Sequence, residues 1–410
     1  MDFTFSEEQK KLMQEMREFC INELPEDFDP DYVGGPRDQE TQDFMKQFLK
    51  KGVKGGWTTA GWPKKYGGMG LTFMEQAAIN SEMAYWGATW GGDAELILVA
   101  PTILTVGTEE QKQKWIPQII QGDVTAFQTF TEPEAGSDEA NCQLRAVADG
   151  DDFVLNGQKT FITGQIKPTL LYTLAKTADV PNKHRGLSIF MVPGDAPGIT
   201  FRPLPTMGGS MQNEIFFDNV RISKNNLLGE LNRGFYVAMA TFEFERGTGG
   251  GLGAKRSMET IVEFCREQKR NGKPLNKDPK TREMLARLAI NSHLGFLQGW
   301  FVTWQRANKD KLGAPTRNTS TVFPKSVFQV YEGESMMRVM GLYGQLNRNS
   351  KYVKYKGKAS YKWEKKNAIH GGGSPEIRKV VIADRGLGLP RIPRQFNAMI
   401  NEALKKEEKQ

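Results

Sequence analysis

FQTFTEPEAGSDEA, Phe127–Ala140, stands where the chain changes character. Ahead of it, apolar residues recur at helical spacing: FSEEQKKLMQEMREFCINEL opens on a Ser6-x-x-Gln9 capping box and carries Leu12, Met16, Phe19 and Cys20 on one stripe. Further helices are predicted over about 38–52, 72–87, 94–106 and 109–121, interrupted by the glycine-rich GWPKKYGGMGL. Behind it come short β-branched and aromatic runs separated by turn residues: DFVLNGQKTFIT, TLLYTLAKT, GLSIFMVPG, ITFRPLP and NEIFFDNVRIS. Asn156-Gly157 reads as a two-residue hairpin turn. From about residue 235, helical patterns return through FYVAMATFEFERG and SMETIVEFCREQKR. The order α, β, α lacks strand–helix alternation, which argues against a doubly wound parallel sheet and for an α+β fold.

The 410 residues suffice for two or three domains and a large core. No apolar run approaches the roughly 20 residues a membrane helix needs, and the start, MDFTFSEEQKK, is acidic where a signal peptide is basic. A cytoplasmic protein without a membrane span is expected. Cys20, Cys142 and Cys265 are widely spaced and fit neither a disulfide framework nor a metal motif, and with only three histidines besides, no metal site is expected. The net charge of +7 is spread along the chain, densest in KYVKYKGKASYKWEKK, Lys351–Lys366, which reads as a solvated face. No nucleic-acid motif accompanies it, so no nucleic-acid partner is expected; a phosphorylated cofactor fits the charge equally well.

AIHGGGSPEIR, Ala368–Arg378, offers Ser374 as an N-cap and Pro375 as the first helical residue, so its glycines would lie at a positive helix end suited to an anion or oxyanion. His-Gly-Gly-Gly also suits the oxyanion loop of a serine hydrolase, but the chain has no G-x-S-x-G and no histidine after His370.

FQTFTEPEAGSDEA resembles the flavin-binding signature of the acyl-CoA dehydrogenase family. Three further segments are similar to the family in order and spacing: NGQKTFITG, NEIFFDNVRISKNNLLGELNRGF and SPEIRKVVIADRGLGLPR. The resemblance runs from Phe5 to about Arg391. It implies an N-terminal α-helical domain (1–125), a central β-barrel-like domain (126–232), a C-terminal four-helix bundle (233–395) and a charged tail (396–410). It implies FAD as cofactor, an acyl-CoA substrate, electron-transfer flavoprotein as acceptor, and a homo-oligomer, dimer or tetramer. Carried over by position, Gln128, Phe130, Thr131, Ser137, Phe161, Thr163, Arg338, Gly341, Ser374 and Glu376 would meet the cofactor. Ser137 would also approach the pantetheine.

Two departures stand out. Arg338, in RVMGLYG, replaces a glutamine of the family pattern, and the family's Arg-x-x-Phe-Gly segment is reduced to QKRNGK, Gln268–Lys273. The second leaves the adenine contacts open.

The reaction the resemblance implies removes an α-proton from an acyl thioester and passes the β-hydrogen to flavin N5 as hydride. Many family members keep the glutamate base four residues before the position of Glu376, which here is Gly372. A second family location, before an arginine in the first C-terminal helix, falls on Glu245, followed by Arg246; Glu243 is the fallback. Gly372 would retain a main-chain N–H for the thioester oxygen. Asp93, in WGGDAELIL, reads either as a helix cap or as a polar contact to a functionalised acyl group. Trp86 and Trp90 suit either a broad pocket or the core. A non-catalytic partner subunit of a mixed oligomer and a flavin oxidase remain as alternative functions.

Overall fold

The computed structural model describes residues 4–26, 28, 39–88, 90, 94–164, 167–207, 211–245, 252–308, 318–347, 349–366 and 373–390. Its first layer is helical: α1 (Glu7–Glu23), α2 (Gln39–Lys54), α3 (Phe73–Trp86), α4 (Ala100–Val106) and α5 (Glu109–Gln121). Ser6, Thr72 and Thr108 each build a complete capping box, so α1, α3 and α5 start where side-chain oxygens take up otherwise unpaired N–H groups. Met16, Cys20, Phe48, Ile79 and Met83 bury the faces that α1, α2 and α3 turn to one another. Trp90 belongs to this core, stacked on Phe48 at 5.2 Å. Ala94–Val99 winds as a π-turn directly into α4.

The second layer is an eight-stranded sheet: β1 (Ala126–Thr129), β2 (Arg145–Asp149), β3 (Asp152–Thr163), β4 (Leu170–Lys176), β5 (Leu187–Pro193), β6 (Ile199–Pro205), β7 (Met211–Ser223) and β8 (Leu227–Leu228). The order is β6-β7-β3-β2-β4-β5-β8, with β1 parallel to β4. Among the described residues the path stays open between β6 and β8. β4 and β5 are buried on both faces, hence their nearly unbroken apolar sequences. β6, at the end of the path, carries Pro203 and Pro205, which an edge strand tolerates.

Asn156-Gly157 corrects the hairpin expectation. The β2–β3 turn is Gly150-Asp151, since Asp149 pairs with Asp152. Asn156-Gly157 instead lies inside β3 at a register shift against β7, with Gly157 at φ +141° and Asn156 bonded to Asn219. The inserted residue at this shift is on β7, where Asn219 takes φ +51°, and pairing with β7, more than 50 residues away in sequence, keeps Asn156-Gly157 within the strand.

The third layer comprises α6 (Gly234–Glu245), α7 (Leu252–Glu267), α8 (Pro279–Ala307), α9 (Asn318–Met340), α10 (Lys358–Lys366) and α11 (Pro375–Val381). Helices α7, α8 and α9 share a core of Ile261, Cys265, Leu285, Met336 and Val339, and α10 packs on α9. The face of α3 presented by Ala77 and Ala78 meets Trp300 of α8, joining the first and third layers. QKRNGK forms a tight hairpin, β9 (Lys269–Arg270) and β10 (Lys273–Pro274), whose Arg270 donates to Val339 O at the end of α9.

Lys351–Lys366 is not a uniformly solvated face. Lys354 bonds Gln268, and Lys362 is buried against Glu332 and Ser257. The charged tail, residues 396–410, lies outside the described residues. No helix among the described residues is long and apolar enough to cross a membrane, and no group of three or more His, Cys, Asp or Glu side chains among them could hold a metal ion.

Candidate active site

Two chain segments meet to form a rim on the sheet. One follows β1 and runs from Phe130 to Ser137; Glu132 and Ala135 exchange main-chain hydrogen bonds, folding Pro133 and Glu134 into a tight turn. The other is the end of β3. Between Lys159, paired with Ile215, and Ile162, paired with Asn213, β3 carries one residue more than β7. The extra length is absorbed at Phe161, which has φ +56° and is 58% exposed as a residue. A left-handed conformation costs a non-glycine residue about 1–2 kcal/mol, and the exposed ring forgoes burial. The segments are joined by a hydrogen bond from Thr160 N to Thr131 O, 2.9 Å.

Along these two segments Phe161, Thr163 and Ser137 are exposed and Thr131 is half-buried. An aromatic plate flanked by hydroxyl groups fits a planar heteroaromatic ring with carbonyl and nitrogen acceptors, the chemistry of a flavin. Gly164 closes β3 against β1. A Cβ there would stand 1.9 Å from the ring of Phe127, so only glycine permits this approach.

Beneath the rim lies a pair that sequence reasoning missed. Lys159 and Glu132 have side chains 0% and 3% exposed, with Nζ 2.7 Å from Oε1. Lys159 also donates to Phe130 O at 3.0 Å. The Glu132 carboxylate accepts from Gln143 N (2.5 Å), Leu144 N (3.0 Å) and the Cys142 thiol (3.1 Å). Burial pushes this carboxyl up, but the Lys159 ammonium, by charge and hydrogen bond, together with the two N–H groups, outweighs it and holds the carboxyl below its ordinary value. Burial raises the Cys142 thiol to about 11, so at neutral pH it stays protonated and donates. The available signal was parity: Lys159 falls in step with the inward Phe153 and Leu155.

Helix α6 enters the same region. Phe242 meets Phe130 edge-on at 6.0 Å, bringing the helix into contact with the start of the rim. One residue earlier, Thr241 is buried within 2.7 Å of the Tyr172 hydroxyl on β4 and 3.0 Å of Thr102 on α4. Burial holds the Tyr172 phenol up at about 12. Glu95 on the π-turn, also buried, accepts from Ala126 N at the start of β1. These polar groups, on otherwise apolar stretches, were likewise unforeseen. Glu245 is the last residue of α6, one turn beyond Thr241. Glu243, the fallback base, is engaged with Arg306 of α8, Oε2 to Nη2 3.6 Å.

The remaining expected site residues divide. Gln128 lies half-buried on β1, in register with Tyr172. Phe130 turns its ring into the core against Tyr172, which leaves its main chain as the part able to face a ligand. Arg338 projects from α9, 72% exposed, with Glu334 at 3.9 Å. Gly341 follows at φ +59° in open surroundings. Ser374 caps α11, accepting from Ile377 N, and Pro375 opens the helix as expected. Glu376 is exposed, its carboxyl held below the ordinary value by its own main-chain N–H and by Ser374. Of the helix-end anion site expected from AIHGGGSPEIR, residues 368–372 lie outside the described residues; α11 itself runs on directly into a π-turn at Ile382–Gly386. Asp93, Arg246 and Gly372 lie outside the described residues.

Three family profiles match in chain order: "Acyl-CoA dehydrogenase, N-terminal domain" over residues 6–123, "middle domain" over 128–220 and "C-terminal domain" over 232–387. The chain is 31% identical over 372 residues to acyl-CoA dehydrogenase IpdE1 of Mycobacterium tuberculosis, covering 88% of this chain and 92% of that one. It is 30% identical over 378 residues to the 3-(aryl)acrylate reductase of Clostridium sporogenes, covering 88% and 96%. The solved Tcur3481-Tcur3483 steroid ACAD superposes with a TM-score of 0.84 at 29% identity, covering 96% and 100%.

Proposed function

The chain belongs to the acyl-CoA dehydrogenase family of FAD-dependent oxidoreductases, and from that premise we propose that it dehydrogenates a bulky, cyclic, aryl-substituted or branched acyl-CoA to the 2-enoyl-CoA. The observation that carries this reading is the contact of α6 with the rim: Phe242 touches Phe130, so the helix ending in Glu245 approaches the segment bearing Thr131. FAD, when bound, supplies the hydride acceptor for the β-hydrogen. Glu245 takes the α-proton, while Glu243 is engaged with Arg306. Gly372, which lies outside the described residues, is assigned the main-chain N–H that would stabilise the negative charge developing on the thioester oxygen. Thr131, Phe161, Thr163, Gln128 and the main chain of Phe130 hold the flavin, with Ser374, Glu376, Arg338 and Gly341 as further contacts. Ser137, Arg246 and Asp93 are assigned to the substrate.

The acyl size follows from the relatives, one a steroid ACAD and another a 3-(aryl)acrylate reductase. Anaerobic titration of the purified protein with a panel of acyl-CoAs tests the reaction, bleaching of the flavin band being the expected result. Glu245→Gln should keep FAD and slow bleaching by about a hundredfold or more. Near-normal reduction by that variant removes Glu245 from the mechanism.

A partner-subunit role is the second reading. It draws on the exposed Arg338 and on QKRNGK, which is closed into a hairpin against α9. A relative named for two chains points the same way. A chain that purifies colourless and yellows only with a second, different chain supports this role over a homo-oligomer, dimer or tetramer. Rapid reoxidation by oxygen marks an oxidase, and reoxidation by electron-transfer flavoprotein a dehydrogenase. The same reading puts the protein in the cytoplasm, where its three buried thiols would stay reduced.

A further inference from the structure

Glu132 and Lys159 lie within two residues of Thr131 and Phe161, yet their side chains point away from the rim into the sheet. Buried ion pairs of this kind are weak sources of stability, because removing two charges from water offsets much of their attraction. Their geometry here has a different logic. Lys159 Nζ bridges Phe130 O and Glu132 Oε1, fixing the start of the first rim segment to β3. Glu132, through Gln143 N, Leu144 N and the Cys142 thiol, fixes the turn that leads to Ser137 to the chain entering β2. One carboxylate and one ammonium therefore hold three main-chain segments. The second of those segments, at the end of β3, carries a phenylalanine in a backbone conformation it would not adopt unaided.

We propose that Glu132 and Lys159 are positioning residues for FAD: the pair fixes the Thr131–Ser137 loop and the Phe161 bulge as one preformed rim, so that the cofactor binds without having to order it. The proposal rests on the reading that this rim faces the flavin. A cofactor that must order its own site binds more weakly by the free energy of that ordering, so losing the pair should lower FAD affinity beyond any effect on folding.

The test compares wild type, Glu132→Gln/Lys159→Met and Glu132→Asp as full-length chains. Melting temperature of the apoprotein, FAD affinity by titration of that apoprotein, and absorbance and fluorescence of the bound flavin are read together. The double variant removes both charges, so neither is left buried alone, and its one amide oxygen replaces the acceptor of either Gln143 N or Leu144 N. Its apoprotein should still fold, melting somewhat below wild type because one buried N–H and Phe130 O lose their partners, while FAD affinity falls at least tenfold and the flavin spectrum shifts. Unchanged affinity and spectrum in a folded double variant overturn the proposal. Glu132→Asp keeps the charge but withdraws it by one methylene, and decides the matter if the double variant does not fold. A threefold or greater loss of affinity supports positioning, and none overturns it. Because affinity is read without substrate, a wild-type flavoprotein that no acyl-CoA bleaches would refute the reaction proposed above and leave this result intact.

Discussion

Lys159 in the sheet and Lys362 in the helical layer are both buried against a glutamate, Lys159 at 2.7 Å from Glu132 and Lys362 at 2.6 Å from Glu332. Lys362 sits on α10 and reaches Glu332 on α9 and Ser257 on α7, tying together helices that satisfy most of their own backbone. Lys159 and Glu132 reach Phe130 O, Gln143 N and Leu144 N, backbone groups of loops that have no ladder to join. The same two side chains thus fix helix register in one region and shape an irregular segment in the other. A ligand site needs the second kind of device, because irregular backbone at a sheet edge does not hold its shape by repetition.

The sharpest way to break this comparison is to remove each lysine in turn. Lys159→Met should cost about 3–5 kcal/mol in chemical denaturation, since it leaves the Glu132 charge buried without its counter-ion, and Lys362→Met should cost less, since the Glu332 side chain is 15% exposed. Only the first should also weaken FAD binding; equal losses of FAD affinity would erase the distinction.

A smaller effect separates two glycines. Gly164→Ala drives a Cβ into the Phe127 ring and should cost about 1–3 kcal/mol. In Gly333→Ala on α9 the nearest contact is 3.1 Å from the added Cβ, and a helix-propensity gain of about 1 kcal/mol offsets the tight fit. Thermal melts of both variants give the contrast.

Acid provides a third comparison. The Glu132 carboxyl sits below its ordinary value of 4.5 in the folded protein, so its contribution is complete above that value and is lost as pH falls through the lower folded one. In Lys159→Met the carboxyl loses the ammonium that opposes burial and its folded value rises, so the acid loss contributed by Glu132 shrinks and the acid limb of a melting-temperature profile, taken relative to each protein's plateau, should flatten. Smallest of all, Arg338→Ala should change stability by no more than about 0.5 kcal/mol, because its pair with Glu334 is exposed. Loss of FAD from the assembled oligomer in that variant would mark Arg338 as a cofactor contact across subunits.

Local chemistry carried much of the fold. The Ser6-x-x-Gln9 box, the Ser374-Pro375 start and the change of texture at Phe127 were legible because each depends on neighbours a few residues away. Asn156-Gly157 was misread because the dipeptide alone does not show whether a strand turns or runs on, and only the distant β7 distinguishes the two. At the site, Thr131, Phe161 and Thr163 were reached through resemblance, whereas the groups that hold them were not. Glu132 looks like an ordinary loop carboxylate beside a proline, and Thr102, Thr241 and Tyr172 come from segments whose proximity exists only in the folded chain.

Phe161 carries a consequence of its own. Glycine would occupy its left-handed backbone without strain and would hide nothing greasy from water, so folding alone gives no reason to retain a phenylalanine. On the proposed reading the ring is present for what it touches, and a chain relieved of the cofactor would lose little of its fold by giving it up.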